Sequence, residues 1–196
     1  VSALRKEGKR FLLETSEGKL QALAVILATG AKHRHLEVPG EERLSGRGVS
    51  YCATCDGPFF KGKRILVVGG GDAACDEAMF LAKLSDQVTM VHRKDRFRAQ
   101  RALAERVLKN PRVSVRFETV VAEIKGEKKV ESVVLEKVGS GERSEEPFDA
   151  VFVFVGSIPQ TRLAPEAKKD EAGSLLTDEL MATSVPGLYA AGDVRA

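Results

Sequence analysis

The fold is decided by residues 64–74, which read RILVVGGGDAA. An apolar strand runs into three glycines, and a helix with small or apolar residues on one face begins at Asp72. Gly69 permits a tight turn, Gly71 lets backbone N–H groups approach a pyrophosphate, and the small Ala74 lets helix and strand pack closely. The unpaired N–H groups and the positive dipole end of that helix attract the anion. Together these features predict a dinucleotide-binding unit.

Further elements are predicted after this unit. The first helix extends to residue 84, residues 87–92 form a second strand, and residues 97–109 form a second helix that Pro111 ends. Several strands without intervening helices follow, which indicates an antiparallel excursion attached to a parallel α/β unit. These strands are predicted at residues 113–117, 120–124, 133–138 and 150–155, with the charged segment 139–147 as a solvent loop.

The N-terminal part of the chain has a different pattern. Residues 11–27 resemble a hairpin with its turn at Glu17-Gly18. The run LAVILA at residues 23–28 is continuously apolar, which is typical of a buried strand.

A basic cluster follows the second strand of the dinucleotide unit. Residues 92–94 read HRK and Arg98 follows them, roughly 20 residues after the glycines, where the motif places its ribose-binding residue. An enzyme for NAD usually carries Asp or Glu there, which accepts a hydrogen bond from the ribose 2′-OH. Cations suit the 2′-phosphate of NADP instead. Because the 2′ substituent lies at this position of the fold, NADP is favoured over a merely solvated basic turn.

A cysteine pair lies upstream in the string CATCDG, residues 52–57. Cys52 and Cys55 have the spacing of a small disulfide ring, in which one thiolate attacks a partner disulfide and the other resolves the mixed intermediate. Asp56 could deliver or accept the proton that thiolate chemistry leaves over. The alternative is a zinc site completed by His33 and His35, but their spacing does not match the usual ligand sets.

The remaining cysteine and the composition set further limits. Cys75 lies on the helix after the glycines and is predicted to be a small buried apolar residue. The chain has 196 residues, 43% of them hydrophobic, and no apolar run approaches the roughly 18 residues that span a bilayer. Charges of both signs are interspersed and the net charge is +3, which argues against a nucleic-acid surface. Three cysteines without a secretory signal predict a reducing compartment, the cytoplasm.

The order of the motifs resembles that of bacterial low-molecular-weight thioredoxin reductases over the whole chain. The string CATCDG ahead of a GxGxxA motif is highly specific for that family. The matching strings are ATG at 28–30, GRGVSYCATCDG at 46–57, GGGDAA at 69–74, HRKDRFRA at 92–99, GSIPQT at 156–161 and AGDV at 191–194.

The resemblance implies an α/β fold: a three-layer, Rossmann-like FAD/NAD(P)-binding domain with an antiparallel β excursion, flanked by pieces of a split FAD domain. Residues 1–32 and 162–196 would be those pieces, and residues 33–161 the NADPH domain with the dithiol. The family's N-terminal glycine-rich FAD motif would precede Val1, and the segment that completes the flavin pocket would follow Ala196. We therefore expect the chain to be cut from a longer protein and its FAD site to be incomplete.

The resemblance also implies the chemistry. Electrons would pass from NADPH to FAD, then to the Cys52–Cys55 disulfide, and then to thioredoxin, within a cytoplasmic homodimer. Cys55 would face the flavin, Cys52 would attack the partner disulfide, and Asp56 would be the acid. Two alternatives stay open: a flavin-dependent dithiol reductase for another protein disulfide, and an NADP-binding module without turnover.

The family pattern also assigns cofactor residues. Lys94 departs from the arginine common at its position, which keeps the charge but loses the planar fork. The residues assigned to NADPH are Gly69, Gly71, Asp72, Ala73, Ala74, His92, Arg93, Lys94, Arg98 and Gly156. The residues assigned near FAD are Thr29, Gly30, Gly192 and Asp193.

Overall fold

The computed structural model describes all 196 residues, and the chain divides into two compact units. One unit combines Val1–Lys32 with Ser157–Ala196, and the other is His33–Gly156. The second boundary between the units lies after Gly156, whereas the sequence motifs placed the end of the NADPH domain at Thr161. No helix is long and apolar enough to cross a membrane.

The strands and helices are numbered in chain order. The strands are β1 (Ala3–Glu7), β2 (Arg10–Thr15), β3 (Gly18–Ala22), β4 (Val25–Leu27), β5 (Ala31–His33), β6 (Val49–Ser50), β7 (Ile65–Gly69), β8 (Val88–His92), β9 (Val113–Phe117), β10 (Thr119–Lys125), β11 (Ser132–Lys137), β12 (Arg143–Pro147), β13 (Ala150–Phe154), β14 (Ser157–Pro159) and β15 (Leu188–Ala190). The α-helices are α1 (Ala53–Asp56), α2 (Asp72–Leu81) and α3 (Arg101–Leu108), and a 3-10 turn covers Gly57–Phe60.

The His33–Gly156 unit is built on a five-stranded parallel sheet in the order β6-β13-β7-β8-β9. All five residues of β7 are buried, as expected for a central strand covered on both faces. From β7 the chain moves outward through β8 to β9, and then returns to β13 on the other side of β7. The strand order therefore reverses between β7 and β13, and ligands of open α/β sheets bind at the carboxyl ends of the strands beside such a point.

Two further layers cover this sheet. On one face, Ile65, Val67 and Phe152 pack in a single cluster with Ala78 and Leu81 of α2. On the other face lies the antiparallel sheet β10-β11-β12. The cluster on that face includes Leu66, Val68, Val91, Val121, Ile124, Val133 and Leu135. The predicted three-layer α/β fold with an antiparallel excursion is therefore confirmed.

Segment 139–147 was predicted to be a solvent loop, and this prediction was wrong for its second half. Residues Arg143–Pro147 form β12, which pairs antiparallel with β11 at the edge of the sheet. Its charged side chains pair with those of the neighbouring strands: Glu145 accepts from Lys125 at 2.7 Å, and Arg143 donates to Glu136 at 2.7 Å. Charged residues on an edge strand blunt its tendency to pair with other chains, and they leave no apolar alternation to recognise.

The second helix was predicted over residues 97–109, but α3 begins at Arg101. The chain before it is not helical, because the N–H groups of Arg98 and Ala99 donate to the Gly70 carbonyl, at 2.7 and 3.2 Å. Phe97 also packs edge-on against Phe117, with ring centroids 4.9 Å apart. These contacts with the glycine loop and β9 prevail over local helix propensity. The first helix is shorter too, since α2 ends at Leu81.

The unit of Val1–Lys32 and Ser157–Ala196 contains the predicted hairpin, in which Thr15 pairs with Gly18 across the turn. The run at residues 23–28 is not the buried strand that we expected. Only Val25–Leu27 is a strand, and Ile26 is 70% exposed whereas Leu27 is 4% exposed. The strand pairs in parallel with β15, and only the face that carries Leu27 packs into the core cluster.

Candidate functional site

The glycine loop has the close packing that the motif requires. Gly69 has φ +150°, and a Cβ at this residue would lie 2.3 Å from the Phe154 carbonyl oxygen and 2.8 Å from the Ala74 Cβ. Any side chain at residue 69, or a larger one at residue 74, would push α2 away from the sheet. The two small residues therefore bring the N-terminus of α2 directly to the end of β7.

Gly71 is needed for a different reason. It is the N-cap residue of α2, its φ is −95°, and a Cβ placed on it would have no atom within 4 Å. A side chain here would neither strain the backbone nor clash with the protein, but would occupy open space beside the N–H groups of the first turn of the helix. That space is where an anion would sit.

A cleft of about 670 Å³ opens at this point, at the carboxyl ends of β7, β8 and β13. Every residue assigned to NADPH lines it: Gly69, Gly71, Asp72, Ala73, Ala74, His92, Arg93, Lys94, Arg98 and Gly156. The cleft also includes residues that the sequence analysis missed, among them Arg34, His35, Leu36, Thr119, Val120 and Val121. These residues are distant in sequence from the glycine loop and belong to no motif, so only the tertiary fold identifies them.

The basic cluster lies at one part of the cleft wall, at the end of β8. Arg93, Lys94 and Arg98 are all exposed and none of them forms an ion pair within the chain. The N–H···O bond from Arg98 to Gly70 holds the cluster against the glycine loop. Three unpaired cations close together repel one another, so an anion of two charges would relieve that repulsion.

His92 lies beneath this cluster and is 7% exposed. Its Nε2 has no hydrogen-bond partner in the protein, although the ring interacts with the Arg96 backbone. Burial, followed by the charges of Arg98 and Arg93, holds the pKa of His92 below its ordinary value. A buried polar atom without a partner costs free energy, and a ligand in the cleft could supply the missing hydrogen bond.

Asp72 lines the cleft but also has a structural contact. Its Oδ1 accepts a hydrogen bond from the Gln100 N–H at 2.7 Å, which ties the start of α2 to the start of α3. The carboxylate also lies in the first turn of α2, where a negative charge is favourable. The motif alone gives no sign of this link between the two helices.

Cys52 and Cys55 form a disulfide at the start of α1, with their Cα atoms 5.3 Å apart. Cys52 is the N-cap of this helix. Its Sγ accepts from the Cys55 N–H at 3.2 Å and lies 3.4 Å from the Thr54 hydroxyl oxygen. These donors would stabilise negative charge on Cys52 once the disulfide is open. The Asp56 carboxylate, at the end of the same helix, accepts from the Ser50 hydroxyl at 2.6 Å.

The two histidines of the zinc alternative are held elsewhere. His33 stacks on the ring of Tyr51, with centroids 5.5 Å apart, and His35 Nδ1 lies 2.7 Å from the Tyr51 hydroxyl. That hydroxyl donates to the buried carboxylate of Glu41 at 2.8 Å. Burial, followed by this hydrogen bond and the charge of Glu41, raises the pKa of Tyr51. The structure does not gather the two sulfurs and two imidazoles into one ligand set.

Cys75 is fully buried within α2, as predicted. Burial, together with the nearby charge of Asp72, raises the pKa of its thiol to about 11. A protonated thiol without solvent access is a poor nucleophile. Cys75 therefore contributes packing to the helix layer and takes no part in thiol exchange.

The residues assigned near FAD lie in the other unit. Thr29 and Gly30 follow β4, and Gly192 and Asp193 follow β15. The two strands are parallel neighbours, and the Ala191 N–H donates to the Leu27 carbonyl at 2.9 Å just beyond their ends. Gly30 and Gly192 have φ of +66° and +74°, a conformation that glycine adopts without strain. The four residues thus lie together at one sheet edge.

The chain can now be compared with known proteins. The family model described as "Pyridine nucleotide-disulphide oxidoreductase" matches residues 1–196. The chain belongs to this family. The family's description names a pyridine nucleotide and a disulphide, which agrees with the dinucleotide-binding fold and the Cys52–Cys55 bond of this chain.

Individual relatives agree with this placement. The chain is 54% identical over 196 residues to a thioredoxin reductase of Treponema pallidum, covering all of this chain and 64% of the relative. It is 49% identical to a thioredoxin reductase of Listeria innocua, covering 97% of this chain and 60% of the relative. The crystal structure of Lactococcus lactis thioredoxin reductase (FR conformation) superimposes with a TM-score of 0.88 at 42% identity, over 99% of this chain and 65% of that one.

The resemblance seen in the motifs is therefore confirmed. The chain spans less than two thirds of the length of the curated relatives it matches. The fold and the family are therefore shown for residues 1–196 themselves, whereas the name thioredoxin reductase describes the longer relatives.

Proposed function

We propose that the longer protein carrying this chain is a thioredoxin-disulfide reductase, an NADPH-dependent flavoprotein in which Cys52 and Cys55 are the redox pair. The observation that carries the proposal is a disulfide with an adjacent carboxylate in the same compact unit as a dinucleotide cleft. Relatives named thioredoxin reductase support the choice of thioredoxin as the acceptor.

The residues of the cleft fit NADPH. The N–H groups in the first turn of α2 would bind the pyrophosphate, because Gly71 leaves open space beside them. Arg93, Lys94 and Arg98 would bind the 2′-phosphate, for which the unpaired cations supply the charge and the arginines a planar fork. The unpartnered Nε2 of His92 would complete its hydrogen bonding with the same ligand.

The other unit offers part of a flavin site. Thr29, Gly30, Gly192 and Asp193 lie at one sheet edge with their backbone turned by two glycines of positive φ, which leaves room for a close approach of the flavin. FAD, when bound, would supply the exchange between the two-electron hydride chemistry of NADPH and the dithiol chemistry of the cysteines. The rest of that site would come from outside residues 1–196.

The thiol chemistry belongs to this chain. After the Cys52–Cys55 bond is reduced, the Cys52 thiolate attacks one sulfur of the thioredoxin disulfide, and the other sulfur of that disulfide leaves as a thiolate. The Cys55 thiolate then attacks Cys52, which restores the Cys52–Cys55 bond and releases the second thioredoxin sulfur. Two electrons pass to thioredoxin, and the two protons of the former thiols end on its sulfurs. Asp56 would carry one of these protons.

The proposal also covers the oligomeric state, the compartment and the kind of partner. A homodimer in the cytoplasm fits the family pattern and the use of cysteine in a redox pair. The interspersed charges of both signs support a small protein as the partner and not a nucleic acid.

The test uses the full-length enzyme with FAD bound, and measures NADPH-dependent reduction of thioredoxin. We expect Cys52→Ser and Cys55→Ser each to abolish it, because either change leaves no disulfide to reduce. Cys75→Ser is the matched control and should keep most of the activity. Thioredoxin reduction at the normal rate by either variant of the pair would contradict the proposal. NADPH binding without any thioredoxin reduction by the wild-type enzyme would favour a different acceptor or a binding module.

A further inference from the structure

Ser50 connects the redox pair to Asp56. It is the last residue of β6, immediately before Tyr51 and Cys52, and it is 5% exposed. Its Oγ lies 2.6 Å from Asp56 Oδ2 and accepts the Cys52 N–H at 3.1 Å. One buried hydroxyl thus contacts both a cysteine of the pair and the carboxyl group beside it.

The direction of these hydrogen bonds follows from the single proton of the hydroxyl. Two acceptors compete for it: Asp56 Oδ2 at 2.6 Å and the Cys52 carbonyl oxygen at 3.3 Å. The carboxylate is nearer and charged, and charge-assisted bonds are the stronger ones. Ser50 therefore donates to Oδ2 of Asp56, and Oδ1 stays available for a proton.

A second buried serine of the same unit, Ser85, shows what is particular to Ser50. Ser85 is 3% exposed and also accepts the N–H of the residue two further on, Gln87, at 3.1 Å. Its hydroxyl donates at 2.6 Å to the backbone carbonyl of Lys63. The two serines have the same local motif and burial, and they differ in the acceptor: a backbone carbonyl for Ser85 and the Asp56 carboxylate for Ser50.

We propose that Ser50 is a positioning residue, which holds the Asp56 carboxyl group so that its Oδ1 exchanges a proton with the dithiol during reduction of the partner disulfide. The inference rests on the proposed function, since it takes Cys52, Cys55 and Asp56 as the reacting groups. Without the Ser50 hydroxyl, the Asp56 carboxylate loses the hydrogen bond that fixes its Oδ2, and its Oδ1 is less often placed for the transfer. The electron and bond changes are those of the thiol exchange already given.

The experiment is a single turnover, which needs no flavin. The full-length enzyme is reduced with dithiothreitol, freed of reductant, mixed with oxidised thioredoxin and quenched in acid, and the thioredoxin thiols are counted over time. We expect Asp56→Asn to slow the transfer by about 100-fold, the lower range for loss of general acid–base catalysis. Ser50→Ala should slow it by about tenfold, and Ser85→Ala should leave it unchanged.

The double variant separates positioning from a merely structural role. If Ser50 acts through Asp56, Ser50→Ala in the Asp56→Asn background should cause no further loss. Threonine and valine have the same branched shape and differ in the hydroxyl group, so Ser50→Thr should retain the rate and Ser50→Val should not. The comparison of Ser50→Thr with Ser50→Val still tests the proposal if Ser50→Ala does not fold.

The contradictory outcomes are distinct. A tenfold loss that persists in the Asp56→Asn background, or equal rates for Ser50→Thr and Ser50→Val, would overturn the role of Ser50 and leave the proposed function intact. A wild-type rate for Asp56→Asn would show that Asp56 is not the acid, and the inference about Ser50 would then fail as well. No transfer to thioredoxin by the reduced wild-type full-length enzyme would instead count against the proposed function.

Discussion

The imidazole ring of His92 lies against the backbone of Gly70, so closely that a Cβ on Gly70 would fall 2.4 Å from His92 Nδ1. Gly70 does not have a positive φ, so its backbone conformation does not require glycine. The contact with the His92 ring requires it. The carbonyl of the same residue accepts the N–H groups of Arg98 and Ala99. Gly70 therefore joins the glycine loop, His92 and the basic cluster into one rigid wall of the cleft.

Alanine substitutions at Gly70 and Gly71 should affect different properties, stability at Gly70 and NADPH binding at Gly71. Gly70→Ala forces the buried ring of His92 to move and should lower the free energy of unfolding by about 1–3 kcal/mol, as overpacking does. Gly71→Ala should change it by less than about 1 kcal/mol, because a gain in backbone rigidity offsets a poorer N-cap. It should nevertheless weaken NADPH binding, since its methyl group enters the open space beside the helix N-terminus.

Urea unfolding of both variants measures the first effect, with Gly71→Ala as the control, and titration of Gly71→Ala with NADPH measures the second. Equal destabilisation by the two substitutions, or undiminished NADPH binding by Gly71→Ala, would contradict this description of the loop.

The sequence could predict the parts of the cleft that depend on local patterns. The strand, the glycines at 69 and 71, Ala74 and the cations after β8 all follow from spacing along one βαβ unit. Gly70 occupies a variable position of the motif, and its requirement arises from a tertiary contact with His92. The same holds for Arg34, His35 and Val121, which the fold brings to the cleft from outside the unit.

The errors of sequence reasoning have the same origin. The strand β12 has charged residues where an apolar alternation would reveal a strand, and their ion pairs with Lys125 and Glu136 form only in the folded sheet. The run at residues 23–28 has the composition of a buried strand, yet Ile26 is exposed because only one face of β4 meets the core. Whether a residue is buried depends on which layers cover it, and local composition does not determine that.

The buried His92 should make the stability of the chain depend on pH. Its pKa is held below 6.5, first by burial and then by Arg98 and Arg93. The unfolded histidine takes up a proton near pH 6.5, whereas the folded one does so only at lower pH, so the unfolded state binds more protons in that window. The free energy of unfolding should therefore be complete above pH 6.5 and fall below it, by at most about 1.4 kcal/mol per pH unit.

Thermal unfolding between pH 7.5 and 5 measures this loss, and His92→Gln is the control because it cannot titrate. Carboxylates such as Glu146, whose pKa Arg116 holds below 4.5, titrate outside the window. Parallel pH profiles for the wild type and His92→Gln would show that His92 is not responsible.

Thiol counts should distinguish the three cysteines. In the native oxidised chain we expect no thiol that reacts rapidly with a disulfide reagent, because Cys52 and Cys55 are joined and Cys75 is buried with a pKa of about 11. Mild reduction followed by removal of the reductant should raise the count by two, and denaturation should then add one more. Cys75→Ser should abolish only the last step. Rapid reaction of a third thiol in the native reduced chain would be inconsistent with the burial of Cys75.

The most direct test of the cleft as an NADPH site is calorimetric titration of the chain with NADPH and with NADH. The double variant Arg93→Ala/Arg98→Ala should weaken NADPH binding by roughly tenfold or more per arginine, the lower range for charge-assisted contacts that are open to solvent. NADH binding should change little, because the two cofactors differ only in the 2′-phosphate. Arg106→Ala removes an exposed arginine that does not line the cleft and should affect neither cofactor. An equal loss of affinity for NADPH and NADH in the double variant would contradict the assignment of these arginines to the 2′-phosphate.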